Sequence, residues 1–261
     1  MGVAAEIADD WHAALAALAW EVEAGADEAI GDAPINRYEL ATETPKPLPA
    51  KASSPPPTPD AGADPVAVAQ AAAAGAATLE ALREAIAGFD LCDLKKGARN
   101  TVFADGNPKA RVLILGEAPG AEEDREGRPF VGRAGQLLDR MFAAISLSRG
   151  SPDAENALYI TNVMPWRPPG NRDPEPAEIA MMLPFVQRHI ALVDPLVIVV
   201  LGNTPLFALT GTRGILRARG HWSQALGKPL LPMTHPAYLL RNPSAKREAW
   251  ADLLSLQQRL R

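Results

Sequence analysis

Four short runs rich in Val, Ile and Leu, at 112–115, 158–163, 196–201 and 230–233, constrain this chain more than anything else in it. An apolar run of strand length is buried on both faces, the mark of a parallel sheet covered by helices on either side. Helical segments over 136–145 and 176–192 separate the first three runs. Pro176 sits near the start of the second segment, where its missing N–H costs nothing, and Pro184 within it predicts a kink. The fold expected is α/β, a three-layer α/β/α sandwich with a central, mainly parallel four-stranded sheet. Ligands bind such sheets beyond the carboxyl ends of the strands, so the residues that follow each strand are the candidates for chemistry.

The rest of the chain divides by composition. Residues 1–43 are acidic, and Ile7, Trp11, Leu15, Leu18 and Val22 fall on one face of an N-terminal helix that either packs on the main domain or docks a protein partner. Residues 44–65 hold eight prolines among Ala, Ser and Thr and read as an extended linker. An alanine-rich helical stretch over 66–86 then opens the main domain, 66–261. The net charge of -5 conceals an asymmetry, since 1–94 carry 4 basic and 16 acidic residues while 95–261 carry 22 and 15. The positive part suits a polyanion such as nucleic acid, although a solvated surface has the same composition. No apolar run reaches the roughly 18 residues of a membrane span. The first residues are acidic where an export signal would be basic, so a cytoplasmic protein is expected, and nothing in the sequence demands more than a monomer. The single cysteine, Cys92, excludes an internal disulfide and any site of several thiolates.

After the first strand, Gly116 and Gly120 enclose Glu117, Ala118 and Pro119 in a tight turn whose backbone can approach a ligand. The turn fits neither the phosphate loop nor the dinucleotide fingerprint. Phe130, beside Pro129, is a platform for a planar base or a simple packing residue. Asn162 lies in an apolar strand, where its amide needs both a donor and an acceptor; the edge of a pyrimidine offers both, and so does a neighbouring loop. Arg167 and Arg172 flank a rigid Pro168-Pro169-Gly170 turn and are candidates for phosphate contact. His235 follows the last strand, where an imidazole can donate to an oxygen that gains negative charge. Beyond it, Tyr238, Leu239, Leu240 and Arg241 are expected as an exposed apolar tip of the kind that wedges into a duplex, followed by the basic Lys246 and Arg247.

The blocks GEAPG followed by EED, RPFVGRAGQLL, TNV followed by RPPGNRDP, and HPAYLLRNP together resemble the uracil-DNA glycosylase superfamily, and within it family 4 of bacteria and archaea, from about Phe89 to the C terminus. The resemblance implies a monofunctional DNA glycosylase that flips uracil out of single- or double-stranded DNA and hydrolyses its N-glycosidic bond, the first step of base excision repair. It implies that Phe130 stacks on the flipped base, that Asn162 reads its pairing edge against cytosine and that His235 donates to uracil O2. Gly116, Glu117 and Ala118 would line the other side of the pocket, with Glu117 holding Asn162 or the attacking water. Leu239, Leu240 and Arg241 would fill the gap left in the stack. Glu117, Asn162 and His235 are thus the catalytic candidates, and Arg167, Arg172, Lys246 and Arg247 the further DNA contacts.

Family 4 holds a four-iron four-sulfur cluster with four cysteines, and alignment by the flanking motifs puts these at Phe89, Cys92, Trp166 and Met182. One thiolate cannot hold the cluster, so a protein with no metal or other cofactor is expected, with packing in its place. A relative in the superfamily traps the abasic sugar through a histidine after the second strand; the stretch MPWRPPGNRDP contains none, which disfavours covalent trapping here. His189 and His221 read as structural or surface residues. A glycosylase for another deaminated or damaged base, or a non-catalytic uracil-DNA-binding protein, are the alternative readings.

Overall fold

The computed structural model describes residues 64–261; the helix expected within 1–43 and most of the linker 44–65 lie outside them. The last two linker residues begin the fold instead. The Asp64 carboxylate accepts from Val66 N at 3.1 Å, and Pro65 takes the first position of α1 (Pro65–Gly75). The alanine-rich stretch is two helices rather than one, because the Thr78 hydroxyl accepts from Ala81 N and starts α2 (Leu79–Ala87). A single turn, α3 (Leu94–Gly97), follows.

The sheet begins with β1 (Ala104–Gly106) and β2 (Val112–Gly116), then α4 (Ala121–Glu126) and α5 (Arg133–Ala143) lead to β3 (Leu158–Asn162). After α6 (Pro176–Val193) come β4 (Val197–Leu201), α7 (Asn203–Thr210), α8 (Ile215–Ala218), β5 (Ser223–Ala225), β6 (Lys228–Met233), α9 (Pro236–Arg241) and α10 (Lys246–Leu260). All strands join one six-stranded sheet in the order β1-β3-β2-β4-β6-β5. The four expected strands are its parallel centre. The expectation of four strands is corrected by β1 and β5, three residues each, which pair antiparallel on the two edges. Leu226 and Gly227, at φ 53° and 74°, join β5 to β6 with the two positive dihedrals that a type I′ hairpin turn requires.

Alternation along each strand explains why whole runs are apolar. Leu113, Leu115, Tyr159, Ile198 and Val200 pack with α1, α2 and α6 on one face. Val112, Ile114, Ile160 and Val199 meet Leu138 and Phe142 of α5 and Leu253 and Leu256 of α10 on the other. These faces are the outer boundaries of the middle layer of an α/β/α sandwich. Pro184 lies inside α6, which continues through it as one helix. Because β2 lies between β3 and β4, the chain departs to opposite sides of it, and the crevice forms at the carboxyl ends. Gly116 pairs with Asn162, and Leu201 with Met233, so those ends are level.

His189, on α6, is a core residue. Its Nε2 shares a 2.9 Å hydrogen bond with the Tyr159 hydroxyl, and its ring stacks on Phe103 at 4.5 Å. Burial pushes its pKa down to about 3. The unfolded chain then binds a proton that the folded chain refuses between about pH 3 and the ordinary histidine value of about 6.5. Stability should therefore fall as pH drops through that window, by about 1.4 kcal/mol per pH unit for one proton. Urea unfolding at several pH values should show the His189→Gln slope shallower than the native one by about this one-proton amount; equal slopes would rule the histidine out as a source.

Candidate active site at the strand ends

A cleft of about 580 Å³ opens at the level strand ends. Glu117 and Ala118 enter it after β2, Asn162 closes β3, Gly202 and Asn203 follow β4, and Thr234 and His235 follow β6. Gly116 lies beneath. A Cβ there would overlap Asn162 Oδ1 and lie 2.6 Å from the Phe130 ring, so only glycine lets both side chains close over the end of β2. Asn162 is 7% exposed and its Oδ1 is buried with no hydrogen-bond partner. Thr234 Oγ1 is a second such atom, and both residues line the cleft. A buried acceptor without a donor costs about 1–3 kcal/mol, so two of them on one cleft mark where a polar ligand fits.

Phe130 is held in a conformation that its type disfavours. Its φ is 55°, a left-handed value worth about 1–3 kcal/mol of strain for a bulky residue. Arg149 opposes that strain by donating to Phe130 O at 2.9 Å and Pro129 O at 2.8 Å, while Asp105 at 3.1 Å and Asp139 at 2.9 Å hold its guanidinium. On the other side Glu123 accepts from Gly120 N, Val131 N and Gly132 N, tying the loop to the start of α4. Gly135 lets α5 approach, because a Cβ there would overlap Phe130 O. The ring, 6% exposed, ends 5.5 Å from the His235 ring at an angle of 31°.

His235 caps α9. Its Nδ1 accepts from Ala237 N at 3.1 Å, which leaves the proton of the neutral ring on Nε2. Burial, with Arg241 nearby, pushes its pKa down to about 4, so the ring is a neutral donor at physiological pH. Glu117 Oε2 accepts from the Thr204 hydroxyl at 2.6 Å. The carboxylate makes this bond rather than one to Asn162, so of the two roles expected for Glu117, holding the amide or holding the attacking water, the first is not seen. Burial, reinforced by Asp173, raises its pKa against the opposing Thr204 bond.

The structure gathers Glu117, Ala118, Phe130, Asn162 and His235 around the cleft with Gly116 under them. It treats the outer residues differently. Arg241 lines the cleft and is exposed. Lys246 and Arg247 open α10, exposed and without a salt bridge among the described residues. The expected apolar tip is not formed: the segment is helical, Leu239 is 1% exposed against Leu137 and Ala249, and Tyr238 and Leu240 are half-buried. Arg172 lines the cleft but spends its fork on Glu178, at 2.9 and 2.7 Å, and Arg167 donates to Asn171 at 2.8 Å. Thr204, Thr234 and Arg149 escaped sequence reasoning, since a lone hydroxyl or arginine carries no spacing signal.

Phe89, Cys92, Trp166 and Met182 are all buried, and all belong to the apolar cluster on the α6 side of the sheet. Phe89 meets Phe185 edge-on at 5.4 Å, and the Trp166 indole donates to Thr101. Burial raises the Cys92 pKa, which keeps the thiol protonated. Among the described residues, no group of three or more His, Cys, Asp or Glu is placed to hold a metal ion.

The family model of the uracil DNA glycosylase superfamily matches residues 103–254. A type-4 uracil-DNA glycosylase of Thermotoga maritima is 40% identical over 169 residues, 64% of this chain and 85% of the relative. One from Pyrobaculum aerophilum is 38% identical over 184 residues, covering 67% and 91%, and one from Sulfurisphaera tokodaii is 36% identical over 191 residues, covering 69% and 84%.

Arg149 bridges two carbonyls and two carboxylates, so Arg149→Ala should cost about 2–4 kcal/mol of unfolding free energy by leaving those groups unpaired. Arg149→Lys should recover only part of it, because one ammonium cannot span the four. Urea denaturation of the three proteins measures this, and an Ala variant within about 0.5 kcal/mol of the native chain, the range of an ordinary surface change, would count against the clamp.

Proposed function

The chain belongs to the uracil DNA glycosylase superfamily, alongside the type-4 enzymes, and from that footing we propose that it excises uracil from DNA through the cleft at the strand ends. The observation that carries the reading is the pair of orphaned buried atoms, Asn162 Oδ1 and Thr234 Oγ1, beside a fixed aromatic ring. A flipped uracil stacked on Phe130 presents N3–H to Asn162 Oδ1 and O4 to its amide N–H. Cytosine reverses both groups and leaves a buried mismatch, the kind of penalty by which polar sites discriminate strongly.

In the reaction the C1′–N1 bond breaks and its electron pair goes to uracil, whose O2 gains charge. The Nε2–H of His235 donates to that oxygen. The sugar, left as an oxocarbenium-like cation, takes the oxygen of a water whose proton passes to Glu117, the carboxylate that Thr204 orients. Stacking and hydrogen bonds in the pocket offset the few kcal/mol that flipping costs. The enzyme would act in the cytoplasm, beside the DNA it repairs.

We infer further that no iron–sulfur cluster takes part. The donor set does not fit one, since three of the four positions carry Phe89, Trp166 and Met182, and the remaining thiol is kept protonated. Packing at Phe89 and Trp166 and the Arg172–Glu178 fork join the same segments.

Oligonucleotides carrying one uracil opposite G, opposite A or unpaired, treated with alkali after incubation, test the reading. The native chain should cleave them with no iron in the sample. Asn162→Ala and His235→Ala should each lose about 100-fold or more in single-turnover rate, the scale of one lost donor in an electrostatic site. Folded protein that leaves every uracil intact would overturn excision, and stoichiometric iron would overturn the cluster-free inference alone. Glu117 should accept a proton only when ionised, so the rate should fall on the acid side through a pKa above the ordinary carboxylate value. A profile measured with Glu117→Gln should lack that limb; a limb that persists would assign it elsewhere.

A further inference from the structure

With Leu239 buried under α9, the large apolar side chain exposed at the cleft is one from the opposite side. Leu216, on α8, is 57% exposed and lines the cleft. Among the described residues, the other large exposed apolar side chains, Leu91, Leu196, Leu226, Trp250 and Leu254, do not line it. Ile215 beside it is buried, so Leu216 is the outward member of an anchored pair. The turn that carries it is fixed from within: Asn203 Oδ1 accepts from Gly214 N at 3.0 Å and Ile215 N at 2.9 Å, and Gly211 and Gly214 supply φ values of 71° and 100°. Arg213 and Arg217 flank the leucine, both exposed and without a salt bridge among the described residues. Arg213 rests on the Phe207 ring at 4.4 Å, which orders its stem while its N–H groups stay open. An apolar side chain at the mouth of the cleft, with two open guanidinium groups on the same turn, complements a nucleic-acid strand, with phosphates outside and sugar and base within.

We propose that the turn from Gly211 to Arg217 is a second DNA-gripping lip, facing the one that carries Tyr238 and Arg241. Leu216 packs against the sugar and base beside the flipped nucleotide, and Arg213 and Arg217 meet the flanking phosphates. The proposal rests on the uracil-excision reading, and two separate measurements keep them apart. In the first, the full chain is titrated onto a labelled duplex that contains no uracil, from about 50 to 200 mM salt, the range over which phosphate contacts dominate. The double variant Arg213→Ala/Arg217→Ala should flatten the slope of log K against log salt by about 1–2, close to one unit per lost phosphate contact.

In the second, steady-state excision from uracil-containing duplex is compared for the native chain and Leu216→Ala. The variant should raise KM about fivefold or more, with the loss falling on KM rather than kcat. All three side chains are exposed, and thermal unfolding verifies that the variants fold. Folded variants with native salt slope and native KM overturn the lip. So does a native dimer that Leu216→Ala dissociates without changing DNA affinity, because the patch then covers a second copy. A flattened slope in a protein that excises no uracil supports the lip and sinks the excision reading.

Discussion

The whole site depends on one missing methyl group. Gly116 ends β2 in register with Asn162 at the end of β3, and the space where its side chain would stand is filled by the Asn162 carbonyl oxygen and the Phe130 ring. A buried amide and an aromatic ring are thereby set at a fixed relation, one from a strand and the other from a loop. The strand contributes rigidity at no extra cost. The loop does not, and that is why Arg149 and Glu123 bind its backbone at both ends of the strained Phe130. A ring free to rotate away would leave the binding energy of stacking to be spent on ordering it first.

Much of this was legible in the sequence, and for identifiable reasons. The four parallel strands announced themselves because burial on two faces demands unbroken apolar runs. Asn162, Phe130 and His235 were findable because the fold puts chemistry after strands, and motifs in order made the positions specific. The edges were not legible. Ala104–Gly106 and Ser223–Ala225 are too short to show a period, and they exist because β3 and β6 offer open hydrogen-bonding edges. Leu239 failed for a subtler reason: in HPAYLLRNP the two leucines are equivalent on paper, and only the helical turn decides that the first faces Leu137 and Ala249. Arg172 likewise has the composition of a phosphate ligand and the geometry of a strut, since Glu178 six residues on completes its fork.

That strut bears on how the fold manages the positions where type-4 relatives are expected to bind a cluster. A cluster joins distant segments through four strong bonds. Here the same segments meet through an edge-on pair of phenyl rings, an indole N–H on a threonine and a bidentate ion pair. Each is individually modest, yet together they cover the α2–α3 connection, the loop after β3 and the body of α6. Packing of this kind tolerates carbon side chains where a metal would demand thiolates.

Burial sets the electrostatics of the cleft as it sets its geometry. Burial lowers the pKa of His235 and raises that of Glu117, in each case disfavouring the charged form. Excision as proposed puts a new negative charge on the leaving base, and a cleft for that step gains from donors already oriented and free of counterions. A protonated His235 would have to be desolvated in a pocket lined by Phe130, and it would surrender the Nδ1 acceptor that caps α9 through Ala237. Keeping the ring neutral preserves the cap, and the cap in turn fixes which nitrogen holds the proton. The Nε2–H that the proposed excision calls on is thus oriented by the same bond that starts the next helix, so in that reading its chemistry and its structural role are not separable.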